Sequence, residues 1–200
     1  MITAGRKNEV YWGEGNWIIL DIGFANNRRS CGIAIADESP RVLFFGEARK
    51  EIVDAVMQQS GTTNLVIEAP LSVCFDVNRN PKGRKIEKRD SKTRYWYNGL
   101  GCAVMTAAMY LIRDIHEATK NKPCADVRLF EGFVSFKEDV SDHNRDVLAL
   151  REVVMNSLKH QTSIYSANEL KFCESDEIRS AFCVAGLDCG VPAVIAPPLH

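Results

Sequence analysis

Long apolar runs are missing from this chain. None approaches the roughly 18–20 consecutive apolar residues that a membrane-crossing helix needs, and residues 1–10 hold no signal-like apolar core. The expectation is a soluble, cytoplasmic protein with no membrane partner. Net charge is nearly missing too: 25 Lys and Arg against 26 Asp and Glu leave −1 at pH 7. That excludes a generically basic nucleic-acid binder and confines any basic surface to one locality. Cysteine pairing signals are absent as well. The seven cysteines (Cys31, Cys74, Cys102, Cys124, Cys173, Cys183, Cys189) are scattered singly, without a CxxC pair. An odd count without ligand spacing argues against a disulfide framework and predicts reduced, mostly buried thiols. Internal repeats and dividing linkers are absent. What remains is 200 residues, 46% of them hydrophobic, enough to build the core of one domain over 1–200.

Three strand-like runs open the pattern: Asn16–Gly23, Cys31–Asp37 and Arg41–Gly46. The turn signal Asp37-Glu38-Ser39-Pro40 joins the last two into a hairpin. Apolar residues at Ala48, Ile52, Val53, Ala55, Val56 and Met57 recur at helical spacing and predict a helix over Glu47–Gln59. Asn64–Pro70 reads as a buried strand closed by Pro70. After a polar insertion at about 72–97 come a helix near Gly99–Ala118 and a strand over Asp126–Phe133. A helix over Ser141–Leu158, capped by Ser141 or Asp142, and a final helix over Ser175–Ala185 complete the order. This order predicts an α/β chain with one antiparallel hairpin in a mixed sheet.

Two carboxylates stand out because each interrupts an otherwise apolar strand near its C-terminal end. Asp21 ends Trp17-Ile18-Ile19-Leu20, and Glu68 ends Leu65-Val66-Ile67. A carboxylate delivered by a buried strand stays charged only beside a cation or hydrogen-bond donors. Gly23, just after Asp21, suits a close approach of backbone or ligand. If the two strands are parallel neighbours, both acids emerge at the sheet edge where open α/β sheets place their sites. Asp176, at the start of the last predicted helix, is positioned to join them. Hard oxygen ligands in this number suit Mg²⁺ or Mn²⁺ rather than a soft metal, and neither His nor Cys has a spacing that favours one. Glu131, alternating with Phe130 and Gly132, reads as facing solvent. Asp142, His143 and Asp146 read as a solvated helix face.

These pieces in this order resemble the ribonuclease H-like superfamily, and within it the predicted-nuclease family of RNase H fold, relatives of the Holliday-junction resolvases. The resemblance spans nearly the whole chain. It rests on Leu20-Asp21-Ile22-Gly23, Leu65-Val66-Ile67-Glu68-Ala69-Pro70, Leu129-Phe130-Glu131-Gly132-Phe133 and Asp176-Glu177-Ile178-Arg179-Ser180-Ala181. It implies a mixed central sheet, first three strands antiparallel and later strands parallel, flanked by helices. It also implies a metal-dependent nuclease in which Asp21, Glu68 and Asp176 are catalytic and bind two divalent cations, with Glu177 a further ligand. A homodimer is the assembly it suggests. One departure stands: resolvase-like members carry two acids three residues apart on the last helix, and here Arg179 occupies the second place.

One stretch is concentrated in positive charge. Arg79, Lys82, Arg84, Lys85, Lys88, Arg89, Lys92 and Arg94 crowd together, and Tyr95-Trp96-Tyr97 follow at once. Arg84, Lys85, Lys88, Arg89, Lys92 and Arg94 are the candidate phosphate contacts to DNA or RNA, with Trp96 a candidate stacking surface. Because Asp76, Glu87 and Asp90 are too few to pair them all, the segment is expected to be mobile. The plainer alternative is a solvated loop whose aromatics anchor the next helix. Two other functions stay open. One is an inactive module of the same fold that binds nucleic acid or another partner. The other is a phosphate-binding protein of the actin or sugar-kinase type, whose first strand also carries Asp-x-Gly, although a second such strand is lacking.

Overall fold

The structure, a computed structural model, describes every residue except 26–27, 123–124, 137–141 and 199–200. In chain order it contains β1 (Ile2–Ala4), α1 (Lys7–Trp12), β2 (Asn16–Asp21), β3 (Cys31–Ile35), β4 (Arg41–Leu43), α2 (Phe45–Gln58) and β5 (Gly61–Glu68). The insertion supplies β6 (Ser72–Phe75), β7 (Pro81–Lys82), β8 (Lys88–Arg89) and β9 (Lys92–Thr93). Then follow α3 (Gly101–Thr119), β10 (Ala125–Gly132), α4 (His143–Met155), β11 (Ile164–Tyr165), β12 (Glu177–Ser180) and β13 (Val194–Ile195).

The protein is α/β, with a mixed sheet flanked by helices. Its strand order is β11-β13-β10-β5-β2-β3-β4, and β1 also pairs with β10. β2, β3 and β4 run antiparallel in sequence, while β5 is parallel to β2 and β10 is parallel to β5. β1 and β13 share the outer edge of β10, the first pairing at Ile2↔Val127 and the second at Glu131↔Val194.

Side chains alternate along each strand, so each face of the sheet has its own apolar set. Ile18, Leu20, Ile33, Leu65, Ile67, Val127 and Leu129 pack under Ile52 and Val56 of α2 and Leu111, Ile112 and Ile115 of α3. Trp17, Ile19, Ala34, Val66 and Phe130 pack under Val147, Leu150, Val153 and Val154 of α4. Strands covered on both faces read as continuous apolar runs, which is why β2 and β5 look as they do in sequence. The same alternation puts Asp21 beside Ile19, and Glu68 beside Val66, on the α4 face.

Several expectations are corrected. Ser175–Ala185 is not a helix: it forms β12, which pairs antiparallel with β6, followed by a short 3-10 turn at Ala181–Ala185. Of the two expected caps of α4, Ser141 lies outside the described residues, while the Asp142 side chain accepts a hydrogen bond from the Asn144 N–H at 3.1 Å. All described cysteines are free, yet only Cys31 and Cys74 are buried, and Cys102, Cys173 and Cys183 are exposed. Among the described residues no helix is long and apolar enough to cross a membrane.

Candidate functional site

Asp21 and Glu68 are register partners at the C-terminal ends of the parallel neighbours β2 and β5. Adjacent strands lie about 4.8 Å apart, so the two acids emerge side by side at one sheet edge, as the sequence predicts. Both line a cleft of about 680 Å³. One wall is formed by 93–101, the other by Gly132–Ser135 and the start of α4. Asp21 is buried, and Glu68 is half-buried with the Val134 N–H 3.4 Å from its Oε1.

The third and fourth members come from α4. His143 Nδ1 lies 2.8 Å from Asp21 Oδ2, and Asp146 follows three residues later on the same helix face. One potential ligand atom from each of Asp21, His143 and Asp146 lies within 4.8 Å of the others. This corrects the solvated-face reading of His143 and Asp146, for Asp146 is only 5% exposed. A signal was present in the sequence: Asp146 falls on the helical stripe continued by Val147, Leu150, Val153 and Val154, all buried. His143 left no comparable trace, because only tertiary packing brings it to Asp21.

Two glycines let α4 come so close. A Cβ on Gly32, the β3 partner of Asp21, would stand 2.6 Å from the His143 carbonyl oxygen. A Cβ on Gly23 would stand 2.0 Å from the Ser30 carbonyl oxygen and 2.4 Å from the His143 ring. The close approach expected at Gly23 is therefore that of backbone and imidazole.

Asp176 does not reach this cleft. It is buried elsewhere, accepting from Lys82 Nζ at 2.7 Å, from the Cys173 thiol at 3.0 Å and from the N–H groups of Phe172 and Cys173 at 2.9 and 3.1 Å. Burial alone would push its carboxyl up. The thiol, the ammonium and the two N–H groups overrule that and hold it well below the usual carboxylate range. Glu177 is exposed on β12 and pairs with Arg179 at 2.8 Å. Asp176 and Glu177 thus drop out as ligands. Arg179 lies outside the acid cleft.

The solvent-facing reading of Glu131 is also overturned, since it is fully buried. It accepts from the N–H groups of Leu71 and Ser72 at 2.8 and 3.2 Å and from Arg84 Nη1 at 2.7 Å. Arg84, fully buried too, donates to Ser72 Oγ at 2.8 Å and from Nη2 to Glu87 Oε1 at 2.8 Å. Burial would lower the Arg84 pKa, but Glu131 and Glu87 raise it and keep the guanidinium charged. Arg84 is therefore a clamp between the insertion and the chain just past Glu68, and no free phosphate contact.

Trp96 is a structural anchor as well. It is 8% exposed, donates from Nε1 to the Lys82 carbonyl at 3.0 Å, and meets Phe75 edge-on. The insertion folds as short strands and turns, fastened to the rest of the chain by the Arg84–Glu131 clamp and the Lys82–Asp176 pair and within itself by the Trp96 anchor. Lys85, Lys88, Arg89, Lys92 and Arg94 remain exposed, as a phosphate-binding surface requires.

Comparison with protein-family models, with curated protein sequences and with solved structures gives no match. The chemistry of the cleft rests on its own residues.

Proposed function

We propose that this protein is a divalent-metal-dependent nuclease of ribonuclease H-like topology, hydrolysing phosphodiesters at the Asp21–Glu68–His143–Asp146 cleft. The observation that carries this is the register pairing of Asp21 with Glu68 on parallel neighbours, with α4 delivering an imidazole and a third carboxylate to the same spot. The sheet supports it as well. After the short edge strand β1, the antiparallel β2, β3 and β4 come first, and the parallel β5 and β10 follow on the far side of β2, as the family resemblance implies for its first three strands and later ones.

The donor set fits a divalent cation. Oxygen ligands bind Mg²⁺ or Mn²⁺ at about 2.0–2.2 Å, and an imidazole nitrogen 2.8 Å from a carboxylate oxygen suits neighbouring ligands of one ion as well as a hydrogen bond. Imidazole shifts the preference from Mg²⁺ towards Mn²⁺. Asp21, His143 and Asp146 would hold the ion, with Glu68 beside them. When bound, a divalent cation supplies Lewis-acid polarisation of the phosphoryl oxygen and an activated water. The chain's own contribution is positioning. The strand ends of β2 and β5 fix Asp21 and Glu68, and the first turn of α4 fixes His143 and Asp146.

The Asp21–His143 contact favours one second reading, a carboxylate-oriented imidazole acting as a general base without metal. A single assay separates them. End-labelled DNA and RNA oligonucleotides are incubated with Mn²⁺, with Mg²⁺ or with EDTA. The nuclease reading expects cleavage with Mn²⁺, weaker cleavage with Mg²⁺, none in EDTA, and none from Asp21→Asn under any condition. Cleavage that survives EDTA would establish the metal-free base instead. No cleavage of any oligonucleotide would leave the fold without this activity.

A further inference from the structure

A second groove, of about 640 Å³, lies on the other side of the insertion's short hairpin. The hairpin pairs Lys88 with Thr93 and Arg89 with Lys92, so it stands as a ridge with two flanks. Thr93 and Arg94 face the acid cleft, while Lys85, Lys88 and Arg89 line the second groove. The two depressions meet at Phe133 and Ser135, which line both.

The second groove has the chemistry of a polyanion track. Lys85, Lys88 and Arg89 are exposed, and among the described residues no carboxylate lies within ion-pair distance of them. Elsewhere in the insertion Lys82 and Arg84 are consumed internally, so these are cations the fold itself does not use. Half-exposed Phe133, Phe136 and Tyr165 provide ring faces in the same groove, Phe133 and Phe136 with centroids 6.1 Å apart. Among the described residues the one acid lining it is Glu169, already engaged by Lys7 at 2.9 Å and by the Ser166 hydroxyl at 2.7 Å. Cations that track phosphates beside aromatic faces that accept any base are how proteins hold unpaired strands. Asp21 and Asp146 lie buried in the acid cleft that adjoins this groove at Phe133 and Ser135.

We infer that the substrate is a single-stranded polynucleotide that enters the acid cleft, crosses Phe133 and Ser135, and continues through the groove of Lys85, Lys88 and Arg89. This deepens the nuclease proposal and rests on it for the role of the acid cleft. The groove itself binds without metal or cleavage.

Fluorescence anisotropy in EDTA, with labelled 12-residue oligo-dT and oligo-U and with a 12-base-pair duplex, tests it at several salt concentrations. The wild-type protein is expected to bind the single strands at least tenfold more tightly than the duplex. Lys85→Ala/Lys88→Ala/Arg89→Ala should weaken single-strand binding and lower its logarithmic salt slope by about 2, at ~0.7 per lost contact. A control triple variant on the opposite face, Lys50→Ala/Arg113→Ala/Lys120→Ala, should keep the wild-type slope. Thermal melts confirm that both variants fold. The inference is overturned if the groove variant keeps the wild-type slope, if the control flattens it equally, or if duplex binds as tightly as single strands. Binding is read without metal, so a failure of the nuclease proposal shows separately, as intact binding with no Mn²⁺-dependent cleavage.

Discussion

At the scale of single residues, four acids written into apolar or helix-starting contexts have different fates, and burial partners decide each. Asp21 and Glu68 were legible because a carboxylate at the end of a fully apolar strand has few structural uses. Asp176 looked similar but satisfies itself with Lys82, Cys173 and two N–H groups. Asp146 has polar neighbours on its helix that suggest a solvated face, yet its place on the buried stripe marks it. These fates predict different mutants. The Asp176 carboxyl is held below its unfolded value near 3.8, so its stabilisation is present above that pH and is lost as pH falls through the folded value. Asp176→Asn should therefore be less stable than wild type at pH 7. Its melting temperature should also fall less steeply between about pH 5 and pH 2. Thermal melts across that range check it, and parallel pH profiles for the two proteins would contradict it.

At the scale of elements, α4 and the insertion build the cleft, and neither contribution was visible in local pattern. The long strands β2, β3, β5 and β10 and the helices α2, α3 and α4 are legible in the sequence because period 2 and period 3.6 are local properties, whereas the short strands, β12 among them, carry too few residues to show a period. The approach of α4 depends on Gly32 and Gly23, whose missing side chains matter only once the helix is packed. Gly32→Ala places a methyl group 2.6 Å from the His143 carbonyl oxygen and forces the first turn of α4 outward. The expected cost is about 1–3 kcal/mol in urea unfolding, typical of overpacking, together with weaker Mn²⁺ binding. The insertion was expected to be mobile because its cations outnumber nearby acids in sequence. Glu131, from β10, escaped that count, and it is the acid that buries Arg84. Arg84→Met should leave Glu87 and Glu131 buried without their cation and cost about 3–5 kcal/mol. Adding Glu131→Gln should restore part of that loss, and a double-mutant cycle measures the coupling.

At the scale of the whole molecule, the sheet works as a device for convergence. Parallel pairing of β2 with β5 sets two acids side by side, and the helix on one face closes over them. The strand directions were expected from the family resemblance, and the α/β class from the order of elements. The identity of the helix that completes the site was not, because two late segments begin with an acid and only three-dimensional packing chooses between them. The basic surface is likewise narrower than its sequence suggests: Arg84 and Trp96 serve the fold, while Lys85, Lys88, Arg89, Lys92 and Arg94 face outward. Under the nuclease proposal α4, rather than the segment around Asp176, completes the metal site. Electron paramagnetic resonance of free Mn²⁺ during titration of wild-type, Asp146→Asn and Asp176→Asn proteins distinguishes the two. Wild type and Asp176→Asn should bind Mn²⁺ alike, and Asp146→Asn should bind at least as weakly as the roughly 10–100-fold loss that even outer-shell changes cause. Loss of binding in Asp176→Asn with wild-type binding in Asp146→Asn, or no Mn²⁺ bound by the wild-type protein, would contradict it.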